Sequence, residues 1–181
     1  DLPKSFSHRV ETYFDEKSRI VVCRRIKKFR ELVLSEKNSG EPTPEDAARV
    51  LAAEVLSGRL RLKHWNAACD RFVARVNFAA TQCPELEIER IDDAARRLVL
   101  EQFCLGEKSW RSVRNKDVFP FLCEWLTNEQ RAALDQLVPE EINLPARKSP
   151  ARLRFDEDGE VTLAATVQDL YDLDSTPTIA G

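Results

Sequence analysis

A chain of 181 residues, 43% hydrophobic and 33% charged, can bury one or two apolar cores and is too apolar for a disordered tail. A formal net charge of −3, from 28 basic against 31 acidic residues, excludes a uniformly basic coat for nucleic acid. No apolar run approaches the roughly 20 residues of a membrane helix. The polar Asp1–Val10 stretch does not read as a secretory leader, so a cytoplasmic location is expected. With no methionine and an aspartate first, the chain is expected to be an excised piece of a longer protein, with catalytic machinery outside it.

Charge is unevenly placed. Arg19, Arg24, Arg25, Lys27, Lys28 and Arg30 precede the next acid, Glu31, whereas every charge from Asp156 to Asp174 is acidic. The cysteines Cys23, Cys69, Cys83, Cys104 and Cys123 form no CxxC pair and lie in no zinc spacing with histidine, so they read as reduced, core-packing residues.

In chain order, residues 9–36 read as a β-meander. Val10, Thr12 and Phe14 alternate with polar neighbours, Asp15–Ser18 turns, Ile20-Val21-Val22 is β-branched, and Leu32-Val33-Leu34 adds a third run. Gly40 and Pro42 make a loop. Thr43-Pro44-Glu45-Asp46 then opens a helix with a hydroxyl cap, proline at the first position and early acids, ending near Ser57-Gly58. A second helix is expected over 62–83, with Trp65, Cys69, Phe72, Val76 and Ala79 on one buried stripe and Pro84 as its stop. Asp92 or Asp93 caps a third, whose Ala95, Leu98, Val99, Gln102 and Phe103 are expected to share a face up to Gly106. Short helices around Trp110 and Phe119–Leu126 precede a capping box, Thr127-Asn128-Glu129-Gln130, with Ala133, Leu134 and Leu137 inward. After Pro145 the period returns to two: Leu153 and Phe155 alternate with Arg152 and Arg154, Asp158-Gly159 turns, Val161, Leu163 and Ala165 return, and 167–173 reads as a short helix. The expectation is an α+β fold: residues 1–40 as a β-meander, 41–140 as an inserted helical bundle, and 141–181 as a hairpin and short helix completing one small antiparallel sheet.

The ordered motifs resemble the C-terminal region of HrpB-type ATP-dependent helicases, relatives of the DEAH-box RNA helicases found in bacteria. The carrying stretches are Phe14-Asp15-Glu16 through Val21 and Arg24, then Glu31–Glu36, and Arg71-Phe72 to Arg75-Val76. The most specific is Leu134-Asp135-Gln136-Leu137-Val138-Pro139-Glu140-Glu141-Ile142, followed by Pro145, Arg152–Phe155, and Val161 to Gln168-Asp169-Leu170-Tyr171. Three positions depart from the pattern: Ala146-Arg147 stands for Ser-Gly after the proline, Asp172 for a glycine after the aromatic, and Arg30 for a glycine before Leu32. The resemblance implies a parent enzyme that hydrolyses ATP with magnesium on two RecA-like domains, with this region as an accessory end. It leaves open whether the sheet closes into an OB-like barrel, a form suited to single strands. The chain itself has no GxxxxGK[ST] phosphate loop and no DExH box, so no ATP hydrolysis and no cofactor are expected of it alone.

The candidate binding residues are Arg24, Arg25, Lys27, Lys28 and Arg30, where clustered cations hold phosphates and an interleaved aromatic, Phe29, can stack on an unpaired base. Arg152 and Arg154 extend the patch if the two β parts join. The plainer alternative is a solvated sheet edge whose cations deter aggregation. Asp156-Glu157-Asp158-Gly159-Glu160 reads as a turn and not as a calcium loop, so no metal is expected. His64 near Cys69 lacks an orienting acid for thiol catalysis. Trp110 and Trp125 are either partly buried in the bundle or interface residues. Two functions follow: an accessory region guiding single-stranded RNA or DNA beside the RecA-like domains of the same parent, or a protein-docking module without nucleic-acid contact.

Overall fold

The computed structural model describes residues 6–29, 32–156, 159–171, 173 and 178–179. Three strands, a run of helices and three further strands follow one another in a mixed α+β arrangement. The strands β1 (Phe6–Asp15), β2 (Ile20–Phe29) and β3 (Leu32–Asn38) form one antiparallel sheet in the order β1-β2-β3. The strands β4 (Glu141–Ile142), β5 (Ala151–Phe155) and β6 (Val161–Leu163) form another in the order β4-β5-β6. The expected single sheet is therefore corrected: among the described residues the N- and C-terminal strands pair only within their own sheets. With three strands each, both sheets are past the marginal two-stranded size that would need a distant strand to complete it. The helices are α1 (Pro44–Leu56), α2 (Ala67–Gln82), α3 (Asp93–Cys104), α4 (Trp110–Arg114), α5 (Phe119–Cys123) and α6 (Asn128–Leu137). The chain divides into two compact units, one of residues 1–64 and 96–118, the other of residues 65–95 and 119–181.

In the first unit, the β1–β2 turn is built around Asp15. Its carboxylate accepts the Ser18 backbone N–H at 2.9 Å and the Ser18 hydroxyl, and Arg19 N–H donates to Asp15 O at 2.8 Å. These bonds favour the charged carboxylate and hold its pKa below the usual value of 3.8. Arg19 closes the turn with φ 60°. Helix α1 starts as the sequence predicts: Thr43 Oγ1 accepts the Asp46 N–H at 3.1 Å, Pro44 occupies the first turn, and Ala47, Ala48, Leu51 and Ala52 are buried. It packs against β1 and β2. The segment before α4 joins β2 through Val21 N–H to Lys108 O at 2.8 Å and Trp110 N–H to Arg19 O at 3.0 Å, and Trp110 is buried.

The second unit corrects the expected start of α2. The helix begins at Ala67, because Asn66 adopts an extended conformation and its side chain accepts the Ala68 N–H at 2.8 Å. Trp65 thus lies outside the helix and is half-buried, with its indole N–H on Asp70 at 2.8 Å; it is not a core anchor, whereas Phe72 is. Helix α3 begins in the second unit and continues from residue 96 in the first; Asp92 is its cap, accepting the Ala95 N–H at 2.9 Å. The buried face of this helix is Ala95, Val99, Leu100, Phe103 and Cys104; Leu98 at 59% exposure and Gln102 point outward, one position away from the expected stripe. The Thr127 capping box forms as expected, with the Gln130 N–H on Thr127 Oγ1 and the Thr127 N–H on Gln130 Oε1, both at 3.1 Å. Thr127→Ala is expected to lower the urea midpoint by the equivalent of about 1 kcal/mol. Between β5 and β6 Gly159 has φ +84°, a conformation that favours glycine; the nearest atom to a Cβ there, Gln82 Nε2 at 3.0 Å, is the end of a flexible side chain that can move aside. Residues 157–158 of the acidic turn lie outside the described residues. Val167–Leu170 is a 3-10 helix, shorter than the helix expected.

Candidate nucleic-acid interface

β2 is the central strand of its sheet, so its basic run does not sit on an edge. The register decides what each cation can do. Residues on alternate positions point to opposite faces, and cross-strand partners share a face.

On one face Arg24 lies opposite Glu11, and its guanidinium reaches Glu11 Oε2 and Glu36 Oε2 at 3.3 Å each while its centre stands 4.6 Å from the Tyr13 ring centroid. Its Nε is buried without an acceptor among the described residues. Two carboxylates answer this one charge. Arg24 therefore ties β1, β2 and β3 together and offers little to a phosphate. Lys28 follows on the same face after Ile26, which is 3% exposed.

The opposite face is covered at one end by burial of Val21 and Cys23 and opens at the other, where Arg25, Lys27 and Phe29 follow at two-residue steps of about 7 Å. Val10, Arg25 and Lys37 form one cross-strand row, and Lys27 faces Ser35 in the next. Arg25 and Lys37 are exposed, and Lys27 and Phe29 are half-buried. A bulge in β3 lets Ser35 and Val33 pair with the consecutive residues Lys27 and Lys28, leaving Leu34 unpaired and exposed. Three cations and an aromatic thus share one open strip.

The sequence-predicted residues are accordingly sorted. Arg25 and Lys27 come together, Arg24 and Lys28 lie on the other face, and Arg30 lies outside the described residues. Arg152 and Arg154 do point to one side of β5, opposite the buried Ala151 and Leu153, but in their own sheet. Arg152 pairs with Glu141 at 3.1 Å. Lys37 was missed because no run of cations marks it; only the pairing with Arg25 brings it in.

The remaining polar anchors are structural. Arg75, 5% exposed, donates to the carbonyls of Leu134 (3.2 Å) and Val138 at the end of α6, and pairs with Asp135 at 2.6 Å and Glu140 at 3.4 Å. Trp125, half-buried, donates its indole N–H to Glu89 O at 2.9 Å. Burial pushes the Cys104 thiol up to about 12, which leaves no thiolate for chemistry at neutral pH.

Residues 99–181 match a family described as ATP-dependent helicase C-terminal. The chain is 24% identical over 144 residues to the ATP-dependent RNA helicase HrpB of Escherichia coli (strain K12), covering 77% of this chain and 18% of that protein. The chain matches the C-terminal region of an HrpB-type helicase. Two solved structures share its fold with a TM-score of 0.70: that of the E. coli DExH-box NTPase HrpB, at 20% identity over 99% of this chain and 22% of that one, and that of the Escherichia coli DEAH/RHA helicase HrpB, at 21% identity over 98% and 23%. The chain thus spans about a fifth of the length of the HrpB proteins it matches. Two of the stretches that carry the HrpB resemblance, Arg71–Val76 and Leu134–Ile142, are joined through Arg75, so that part of the pattern records packing rather than a binding site.

Proposed function

We propose that this chain is the accessory end of an ATP-dependent helicase and grips single-stranded RNA on the open strip of its first sheet, beside motor domains that bind ATP and magnesium. The carrying observation is the shared face of Arg25, Lys27, Phe29 and Lys37, cations spaced along a strand with an aromatic able to stack a base. The likeness to HrpB, an RNA helicase by its name, supports RNA as the strand. The reading includes docking against the RecA-like domains of the parent chain and a cytoplasmic setting. DNA is the competing strand in the same test.

Fluorescence anisotropy with a short labelled single-stranded RNA, repeated from low to moderate salt, tests this reading. Three phosphate contacts predict a slope of log affinity against log salt of about −2. Absence of binding at low salt, or binding indifferent to salt, contradicts it and favours an apolar docking module.

A further inference from the structure

The two units carry opposite charge. The first holds 20 basic and 13 acidic side chains, a formal charge of +7, and the second 8 and 18, a charge of −10. A polyanion is therefore drawn to the first unit and repelled by the second. The open strip uses three of the first unit's cations. A second cluster stands where the chain leaving α1 meets the end of α4.

The leaving segment, Arg59-Leu60-Arg61-Leu62-Lys63, buries every second residue: Leu60 is 3% and Leu62 7% exposed, and the cations around them face solvent. Arg59 is tied to Glu54 at 2.6 Å, which leaves Arg61 and Lys63. Lys63 N–H donates to Arg114 O at 3.1 Å and so seats the segment against α4. On α4, Trp110 and Val113 are buried, while Arg111 and Arg114, three residues apart, share the exposed side. Among the described residues none of the four cations pairs with a carboxylate, and Asp117, the acid that follows Arg114 in the chain, engages none of them. Elsewhere in the unit Arg49 has Asp46 and Lys108 has Glu41. Four like charges gathered without a counter-charge repel one another, and an anion bound among them removes that cost.

We infer that Arg61, Lys63, Arg111 and Arg114 form a second grip on the phosphate backbone of single-stranded RNA, used by strands long enough to reach beyond the open strip. A protein partner needs apolar or aromatic anchors at the centre of its interface; here Leu60, Leu62, Trp110 and Val113 are all buried, so the patch offers charge alone, which suits phosphates and reads no base. The two grips lie toward opposite ends of β2, a strand of 10 residues or about 33 Å: Arg19 and Val21 bond residues 108–110 ahead of α4, whereas Arg25, Lys27 and Phe29 lie at the other end. The inference rests on the RNA-contacting role proposed above and lengthens its footprint.

The test compares the whole chain with R61Q/K63Q/R111Q/R114Q and with R25Q/K27Q/K37Q by anisotropy of fluorescein-labelled oligouridylates of about 4 and about 16 nucleotides, the range of single-strand site sizes, across salt concentrations. The short strand seats on the open strip, where stacking adds to charge, and the patch variant is expected to bind it within about twofold of wild type. The long strand is expected to bind that variant about tenfold more weakly, with the salt slope reduced by about 3, or about 0.7 for each lost phosphate contact. All four positions are exposed and the bond between Lys63 and Arg114 is between backbone groups, so the variant is expected to melt as the wild type does. Equal losses for both lengths show that the substitutions act through net charge alone and overturn the patch. Wild-type affinity and slope for the long strand also overturn it, and in both cases the proposed function stands. No RNA binding by the wild type at low salt overturns both. Polyglutamate bound by the wild type and not by the patch variant, with the long RNA unaffected, assigns the patch to an acidic protein and overturns the RNA reading.

Discussion

Arg75→Met is expected to destabilise the second unit by about 2 kcal/mol. The side chain is 6% exposed, and its guanidinium fills the end of α6, where it donates to the Val138 carbonyl, which lies past the last helical N–H, and adds a second bond to the Leu134 carbonyl, which already accepts the Val138 N–H at 2.9 Å. Methionine fills much of the volume but donates nothing, so the Val138 carbonyl loses its partner at about 1–3 kcal/mol while the Leu134 carbonyl keeps its helical one. The two carboxylates matter less. Asp135 is 64% and Glu140 46% exposed, and either can return to water, so Asp135→Asn is expected to cost under about 1 kcal/mol. Urea unfolding with hydrogen exchange at residues 134–140 checks both values. Equal effects of the two variants would show that the ion pair, not the carbonyl cap, holds this corner.

Phe103→Ala is expected to cost the first unit about 3–5 kcal/mol. The ring is fully buried on α3, and Lys116 Nζ stands 5.2 Å from its centroid while donating to Phe103 O at 2.8 Å. Truncation removes the transfer energy of the ring and leaves a cavity lined by neighbours that relax only in part. The same denaturation experiment, with exchange followed in α3 and β2, should show the loss there. A change under about 1 kcal/mol would mean that the site collapses around the missing ring.

Local signals in the sequence were reliable where chemistry is local. The α1 cap at Thr43, the Thr127 capping box, the Asp15 turn and the Gly159 turn depend on neighbours a few residues apart, and each forms as read. The class, α+β, followed from the change of period. What sequence could not supply was pairing at a distance: Leu98 and Phe103 are both large and apolar, and only packing decides that the first is exposed and the second buried. The binding strip shows the same limit. Arg24 and Arg25 are adjacent and identical in chemistry, yet Glu11 and Glu36 neutralise one, while Val10 and Lys37 flank the other. Register with β1 and β3, set by a turn at one end and a bulge at the other, separates them.

That separation is also where the account is most directly tested. Single-stranded RNA affinity at low salt should be measured for R25Q/K27Q/K37Q and for R24Q, each with an unchanged far-ultraviolet spectrum. Removing the three strip cations is expected to weaken binding about a hundredfold, whereas R24Q, whose charge two carboxylates already answer, should stay within about threefold of wild type. An R24Q variant as impaired as the triple variant, or a triple variant that binds as the wild type does, would contradict the assignment of the open strip as the RNA contact.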